Sequence, residues 1–383
     1  MRLTFTISCF FLFLACNKHK QNVNNGDTPK SGVSLNFVEN REFESGFSSQ
    51  NIQIEVIDKE EYICFSDFFT SKKIHIYNLK TEEEIWVDLK TMIDFGFKIA
   101  GIEILSLDTI LVLTQYRNQL FFLNRDGVIW KYIDFNPQLE EIGGYELWSG
   151  KTPFMFNDTT AIFPISLVAE SEINKTLSED DFYKKYYSGP NLFKVDNIFD
   201  EDLNCNAGLY DLYNNFTDKY FLAIEGKYFT YLNDFIYFFS NYSDTIYQVD
   251  PVSLKLVRKV KINSTFGKAY MKPVTRKLQK ENNTALNSNF KENMSINSIV
   301  YITEKEQYWV VVRHAEKEGS NRPWSVVVLD SAFNELDEFT LDHDNLNLNI
   351  RSYSDGLFIP VNRDKIQKDL RFKVNVLAQY EYE

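Results

Sequence analysis

Glycine and proline are scarce, 15 and 9 residues of 383, which excludes a collagen-like or linker-dominated architecture. Cysteine is scarcer still. Cys9 and Cys16 lie at the N-terminus, leaving only Cys64 and Cys205, too few for a disulfide scaffold and without zinc-type spacing. The four histidines, His19, His75, His314 and His343, are scattered. No His-Glu-x-x-His helix, phosphate-binding loop, dinucleotide fingerprint or Gly-x-Ser-x-Gly elbow occurs. Asp342-His-Asp-Asn-Leu-Asn347 alternates oxygen ligands but lacks the glycine and distal glutamate of an EF-hand, so it reads as a loop. Neither a cofactor nor a metal is expected. Basic charge is in deficit: 41 Lys and Arg face 54 Asp and Glu, a net charge of −13. A nucleic-acid partner, held by phosphate neutralisation, is excluded on that ground.

Aromatic residues are in excess, at 16% of the chain with 33 Phe and 22 Tyr. Such residues suit pleated, half-buried surfaces and move the expectation toward β structure. The chain opens with Arg2 and a 13-residue apolar run, Leu3 to Ala15. That run fits a signal sequence and is too short for the ~20 residues of a membrane helix. Cys16 is either incidental to an ordinary cleaved signal or the lipidation site of a bacterial lipoprotein. Phe13-Leu14-Ala15-Cys16 resembles a lipobox, and the polar Asn17-Lys18-His19-Lys20-Gln21 after it suits a tether. The division expected is a signal over 1–15, a tether over 16–32 and one domain over 33–383. Asn17 rather than Asp, and no acidic cluster after Cys16, point to an outer-membrane lipoprotein facing the periplasm. An oxidising compartment permits a Cys64–Cys205 disulfide. Two separate thiols are the other reading.

Beyond the tether, short runs alternate with period two, as strands do. Six segments repeat one pattern: a strand, a tight turn, a second apolar strand, a polar turn and a third strand. Ile52–Asp58, Tyr62–Ser66 and Lys73–Asn78 form the first. The turns at Asp58, Asp108 and Asp158 are 50 residues apart, near the ~40–50 residue period of propeller blades. Fourth strands follow at Glu84–Asp88, Val128–Tyr132, Leu256–Ile262 and Glu335–Thr340. The sixth segment has no fourth strand of its own, so Val33–Val38 is expected to complete it from the N-terminus. The spacing predicts an all-β, six-bladed propeller of four-stranded antiparallel blades. Seven blades are the alternative, with residues 200–230 holding the extra sheet; a β-sandwich is the competing architecture. On this pattern and the lipobox, residues 33–383 resemble the TolB-like six-bladed propeller lipoproteins of Bacteroidota, including a family of uncharacterised function. The resemblance implies a fold and an address, and no activity.

Strand parity puts the long insertions, 167–190, 263–296 and 314–323, at one end of their sheets. Within the first, Ser178-Glu-Asp-Asp181 reads as a helix cap, followed by an exposed tyrosine cluster over Tyr183–Tyr187. The second carries Lys268, Lys272, Arg276, Lys277 and Lys280, either a docking segment for an anion or a solvated loop. Second-to-third turns at the same end bring Arg117, Asn118, Asn241, Arg313, His314, Asn362 and Arg363 toward the channel mouth as candidate ligand contacts, beside Asp67 and Asp244. Guanidinium groups bind carboxylate or phosphate bidentately; each arginine alone is also an ordinary turn residue. No catalytic residue is assigned. The expected function is a monomeric, lipid-anchored module that binds a protein or envelope ligand through the insertion face and touches the membrane only through its lipid. The alternative is a lyase or hydrolase acting on a glycan or peptide.

Overall fold

The computed structural model describes residues 35–43, 52–66, 73–90, 92, 99–114, 117–147, 155–157, 159–169, 171–210, 212, 227–240, 243–266, 270, 288, 291–315, 323–340, 350–354, 356–360 and 375–382. The first strand, β1 (Leu35–Phe43), stands apart from the strands nearest to it in sequence. Next come two plain meanders. One is β2 (Ile52–Ile57), β3 (Glu60–Ser66), β4 (Lys73–Asn78) and β5 (Glu84–Asp88); the other is β6 (Ile99–Ser106), β7 (Thr109–Thr114), β8 (Gln119–Leu123) and β9 (Ile129–Asp134). In the third sheet two short strands, β10 (Tyr145–Leu147) and β11 (Met155–Asn157), share β12 (Thr160–Leu167), followed by β13 (Leu192–Asp196) and β14 (Asn204–Gly208). The fourth is β15 (Lys227–Leu232), β16 (Phe235–Ser240), β17 (Thr245–Asp250) and β18 (Lys255–Lys261). The fifth is β19 (Ser295–Ile302), β20 (Gln307–Arg313), β21 (Trp324–Leu329) and β22 (Glu335–Phe339). The last is β23 (Arg351–Tyr353), β24 (Gly356–Pro360) and β25 (Asn375–Tyr382), completed by β1 on the outer edge of β25. All pairings are antiparallel.

The turns follow from residue type. Asp58 and Lys59 have φ of 52° and 70°, Asn233 and Asp234 of 46° and 64°. Two successive positive φ values make a type I′ hairpin, whose twist matches that of the strands it joins. The middle strands are buried nearly throughout, as in β20 and β21, whereas an outer strand such as β18 is exposed at all but Val260. Each sheet is therefore too thin to make a core alone and packs on its neighbours. One apolar cluster joins the first and second sheets through Ile76 and Val112, and another runs from the second through the third to the fourth. Others join fourth to fifth, fifth to sixth, and, through Phe65 and Phe358, sixth back to first. The protein is thus an all-β propeller of four-stranded antiparallel blades. Phe122, Phe163, Phe238, Trp309 and Phe358 are all in this inter-blade core.

The register Leu35↔Tyr382 to Phe43↔Asn375 places the N-terminal strand where the unfilled sixth repeat required one. Residues 204–208, within the stretch considered for an extra sheet, belong to the third sheet; residues 213–226 lie outside the described residues. Cys64 on β3 and Cys205 on β14 are both free, so the thiols are separate.

Candidate functional site

The innermost strands meet around the axis: β2 touches β6 and β23, and β19 touches β15 and β23. Glu55 on β2, Glu103 on β6 and Arg351 on β23 are charged residues of these innermost strands. All three keep some exposed surface but are set deep within the fold. Neighbouring backbone fixes the frame. Gln53 Nε2 donates to the Ile102 carbonyl at 3.1 Å, and Arg351 Nε donates to the Ile52 carbonyl at 2.6 Å, tying β2 to both its neighbours.

Burial pushes the Glu55 carboxyl up to about 7, against the pull of the Arg351 guanidinium. Burial, and then the charge on Glu55, hold Glu103 well above the usual carboxylate range. The Arg351 value is lowered by burial and supported by Glu55; a guanidinium remains cationic at any ordinary pH. Near neutrality Glu103 therefore keeps its proton beside a Glu55 that is partly ionised. Two carboxyls pushed to different protonation states can give and take a proton, and they offer hydrogen bonds of both senses to a ligand entering the channel. Among the described residues no group of His, Cys, Asp and Glu is arranged to hold a metal. The sequence signal for this trio, a charged residue inside an apolar inner strand, is plain in Ile52-Gln-Ile-Glu55-Val.

At the expected channel mouth the residues divide. Asn118 is buried in a left-handed conformation, φ 55°. Its Nδ2 donates to Asn136 Oδ1 at 2.8 Å and its Oδ1 accepts from the Leu147 N–H at 2.8 Å. That amide clamps the chain between β8 and β10 and is spent on structure. Asn136 in turn donates to the Arg117 carbonyl at 3.0 Å. Arg313, half-buried at the end of β20, donates from Nε and Nη2 to Ser295 Oγ at 3.2 and 3.0 Å. Asn241, Asn362, Arg363 and Asp67 lie outside the described residues, as does Cys16.

His314 is buried, with Nε2 2.8 Å from Ser325 Oγ. Ser325 donates its one proton to Glu338 at 2.6 Å, so the imidazole Nε2 must be the donor to the serine. This is the reverse of a serine activated by histidine, in which the imidazole accepts that proton. Glu338 also accepts from Ser264 Oγ at 2.5 Å and from the N–H and Oγ1 of Thr265 at 2.6 and 2.7 Å. The network latches the start of the second insertion onto the next sheet, with the Phe266 ring edge-on to His314.

The first insertion is built in, not draped over. Ser178 caps the helix α1 (Glu179–Ser188) by accepting from the Asp181 N–H, as its sequence requires. Tyr186 and Tyr187 are buried at 5% and 2% exposure. The tyrosine cluster expected at the surface is thus largely core, because its helix face lies against the third sheet. Asn174 holds the approach. Its Nδ2 donates to the carbonyls of Gly143, Gly144 and Val168 at 3.2, 3.0 and 2.8 Å, and its Oδ1 accepts from Lys185 Nζ at 2.6 Å. Gly144, at φ 78°, cannot carry a side chain, since a Cβ would lie 2.3 Å from Ser171 Oγ.

No family model matches the chain, and no curated protein matches it. Among solved structures it is similar to a member of the DUF4221 family from Bacteroides vulgatus, at 14% identity and a TM-score of 0.64 over 92% of this chain and 99% of the other. It is also similar to a Bacteroides fragilis protein described as exported, at 12% identity and a TM-score of 0.53 over 93% and 97%. At such identities the likeness is one of fold.

Proposed function

We propose that this chain is an exported, lipid-anchored, six-bladed propeller of the TolB-like kind that binds a protein or envelope ligand on its insertion-bearing end. The observation that carries the reading is the insertion over residues 167–190. It is locked to the third sheet by Asn174 and Lys185 and capped by a helix packed into the core. An insertion held this firmly is a preorganised surface, which lowers the ordering cost of binding. In an antiparallel meander the second-to-third turn and the exit of the fourth strand leave at the same end of the sheet. That supports grouping this insertion with those at 263–296 and 314–323. Six sheets packed cyclically support the blade number. The lipobox at Cys16 and the similar protein described as exported support an envelope address.

The test is capture from the organism's own envelope, using the mature lipidated chain and a variant in which 268–290 is replaced by a short Gly-Ser linker. A ligand recovered by the first and lost with the second, at unchanged melting temperature, is the expected result. Equal recovery by both removes the insertion face from the reading. The Glu55–Glu103 pair favours a second reading, hydrolysis or elimination on a glycan or peptide within the channel. Its expected mark is turnover abolished by Glu103→Gln and untouched by Arg313→Ala.

A further inference from the structure

His75, on β4, is fully buried at 0% exposure. Its directly opposed neighbours are Phe65 on β3 and Trp86 on β5. The three rings lie in a row on one face of the first sheet, since directly opposed residues share a face. The imidazole centroid is 5.6 Å from that of Phe65 and 4.0 Å from that of Trp86, whose plane lies within 3° of its own. This face is turned to the last sheet, because Phe65 packs with Phe358 and Tyr353. The imidazole is therefore wedged into the seam that closes the ring of sheets, and it is poorly paired there. Among the described residues Nδ1 has no hydrogen-bond partner, and Nε2 reaches only Glu84 Oε2, at 3.5 Å. On the facing side Gln379, opposed to Phe358, donates from Nε2 to the Tyr353 hydroxyl at 2.9 Å and keeps Oε1 buried without a partner.

A neutral imidazole tolerates such a slot. An imidazolium adds a charge and a second N–H, and a buried charge without a hydrogen-bonded partner is costly. We propose that His75 makes the closing seam respond to acid: protonation of its imidazole favours a form in which the first and last sheets part locally and the imidazole meets water. Burial lowers the affinity of His75 for a proton, and the Glu84 carboxylate, 46% exposed, offsets only part of that. The native group therefore holds its proton less firmly than a histidine in the opened or unfolded chain, whose value is near 6.5. By linkage the closed seam is unaffected above about pH 7 and weakens as pH falls below about 6.5. The other ionisable groups at the seam are few. On the same strand, Lys73 Nζ stands 5.9 Å over the Trp86 ring and Tyr77 meets the imidazole edge-on at 6.5 Å. Glu61 accepts from Ser354, and Arg351 reaches β2 within the field of Glu55. On β1 the register sets Glu39 beside Gln379 and Arg41 beside Leu377. The device does not depend on the lipid anchor or on the insertion-bearing end.

Two readouts on the chain from residue 16 onward test the proposal. That chain holds four imidazoles, His19, His75, His314 and His343, so histidine-selective NMR resolves them and His75→Gln identifies the signal that is lost. In the wild-type chain the His75 signal is expected to titrate below the ~6.5 of an unperturbed histidine. Hydrogen exchange, corrected for its intrinsic rate, reads the opening itself. From pH 7 to pH 5 the protection of β4 and β24 amides is expected to fall about 3- to 30-fold, the upper bound being set by the value of a free histidine, while that of β16 and β17 holds. His75→Phe keeps a ring in the slot, leaves Glu55 and Arg351 in place and is expected to abolish the fall, as is His75→Gln. A His75 that titrates at or above about 6.5, a fall of the same size in both variants, or a loss of protection shared equally by β16 and β17 overturns the proposal.

Discussion

A carboxyl group that keeps its proton in the native state makes stability fall as pH rises. Glu103 and Glu55 are both raised above the 4.5 of an unperturbed glutamate, chiefly by burial. Between about 4.5 and 7 the native state therefore binds more protons than the unfolded chain. The contribution of both groups is fully present below about 4.5; that of Glu55 is lost as pH rises to about 7, and that of Glu103, which still holds its proton near neutrality, goes on being lost above it. Glu103→Gln keeps the shape and removes the titration. Its unfolding free energy, measured in urea from pH 5 to 8, is expected to fall less steeply than wild type. The variant should gain on wild type steadily as pH rises across that range. A wild-type curve parallel to the variant's over that range would falsify the assignment of a retained proton. At this scale the sequence is legible where local rules govern. The Ser178 cap is such a case, because a hydroxyl three residues before an acid can do little else. It is not legible where a role depends on the groups that lie opposite. Asn118 reads as a ligand contact because it sits in a polar turn; only the positions of Asn136 and Leu147 show that its amide is consumed by structure.

Strands announce themselves through alternation, and hairpins through Asp and Asn at positive φ. The helix α1 also follows from its sequence, but its burial does not. A tyrosine-rich face reads as surface until a sheet is found beneath it, and here β10 and β12 provide one. The insertion is bound to that sheet by a buried amide whose two N–H protons are shared among three carbonyls and whose oxygen accepts from Lys185, a feature no periodicity records. Asn174→Ala removes the amide at once and leaves three carbonyls and the Lys185 ammonium with fewer partners. A buried group left unsatisfied costs about 1–3 kcal/mol, and the expected loss lies at the upper part of that range. Ser178→Ala, at an exposed cap, is expected to cost about 1 kcal/mol. Urea unfolding of the two variants checks the ranking, and near-ultraviolet circular dichroism tracks the packing of Tyr186 and Tyr187. An Asn174→Ala protein as stable as Ser178→Ala would mean that the insertion is held by its apolar contacts alone.

Over the whole molecule, the first strand and the last sheet are one unit although the rest of the chain lies between them. The repeat foreshadows this, since a sixth segment lacking its fourth strand leaves β25 an open edge, and a ring of sheets has no other place for β1. The charged trio is less visible, because β2, β6 and β23 meet only after the sheets have closed around the axis. Closure has an energetic consequence. The last sheet packs on the first through Phe358 and Phe65, Arg351 reaches the Ile52 carbonyl, and the Ser354 N–H and Oγ both donate to the Glu61 carboxylate at 2.7 Å. β1 holds β25, β25 holds β24, and β24 presents Phe358 to that seam. Removing residues 1–43 therefore strips the outer strand and loosens the contact two strands further in. The shortened chain is expected to melt at least several degrees lower than the chain from residue 16 onward and to unfold less cooperatively. It should also self-associate through the exposed β25 edge. A synthetic peptide of residues 33–45 should restore most of the lost melting temperature, whereas the same residues in scrambled order should not, because only the native register matches β25 along its length. A chain from residue 44 onward that melts with the chain from residue 16 onward would show that the inter-sheet core closes the ring unaided.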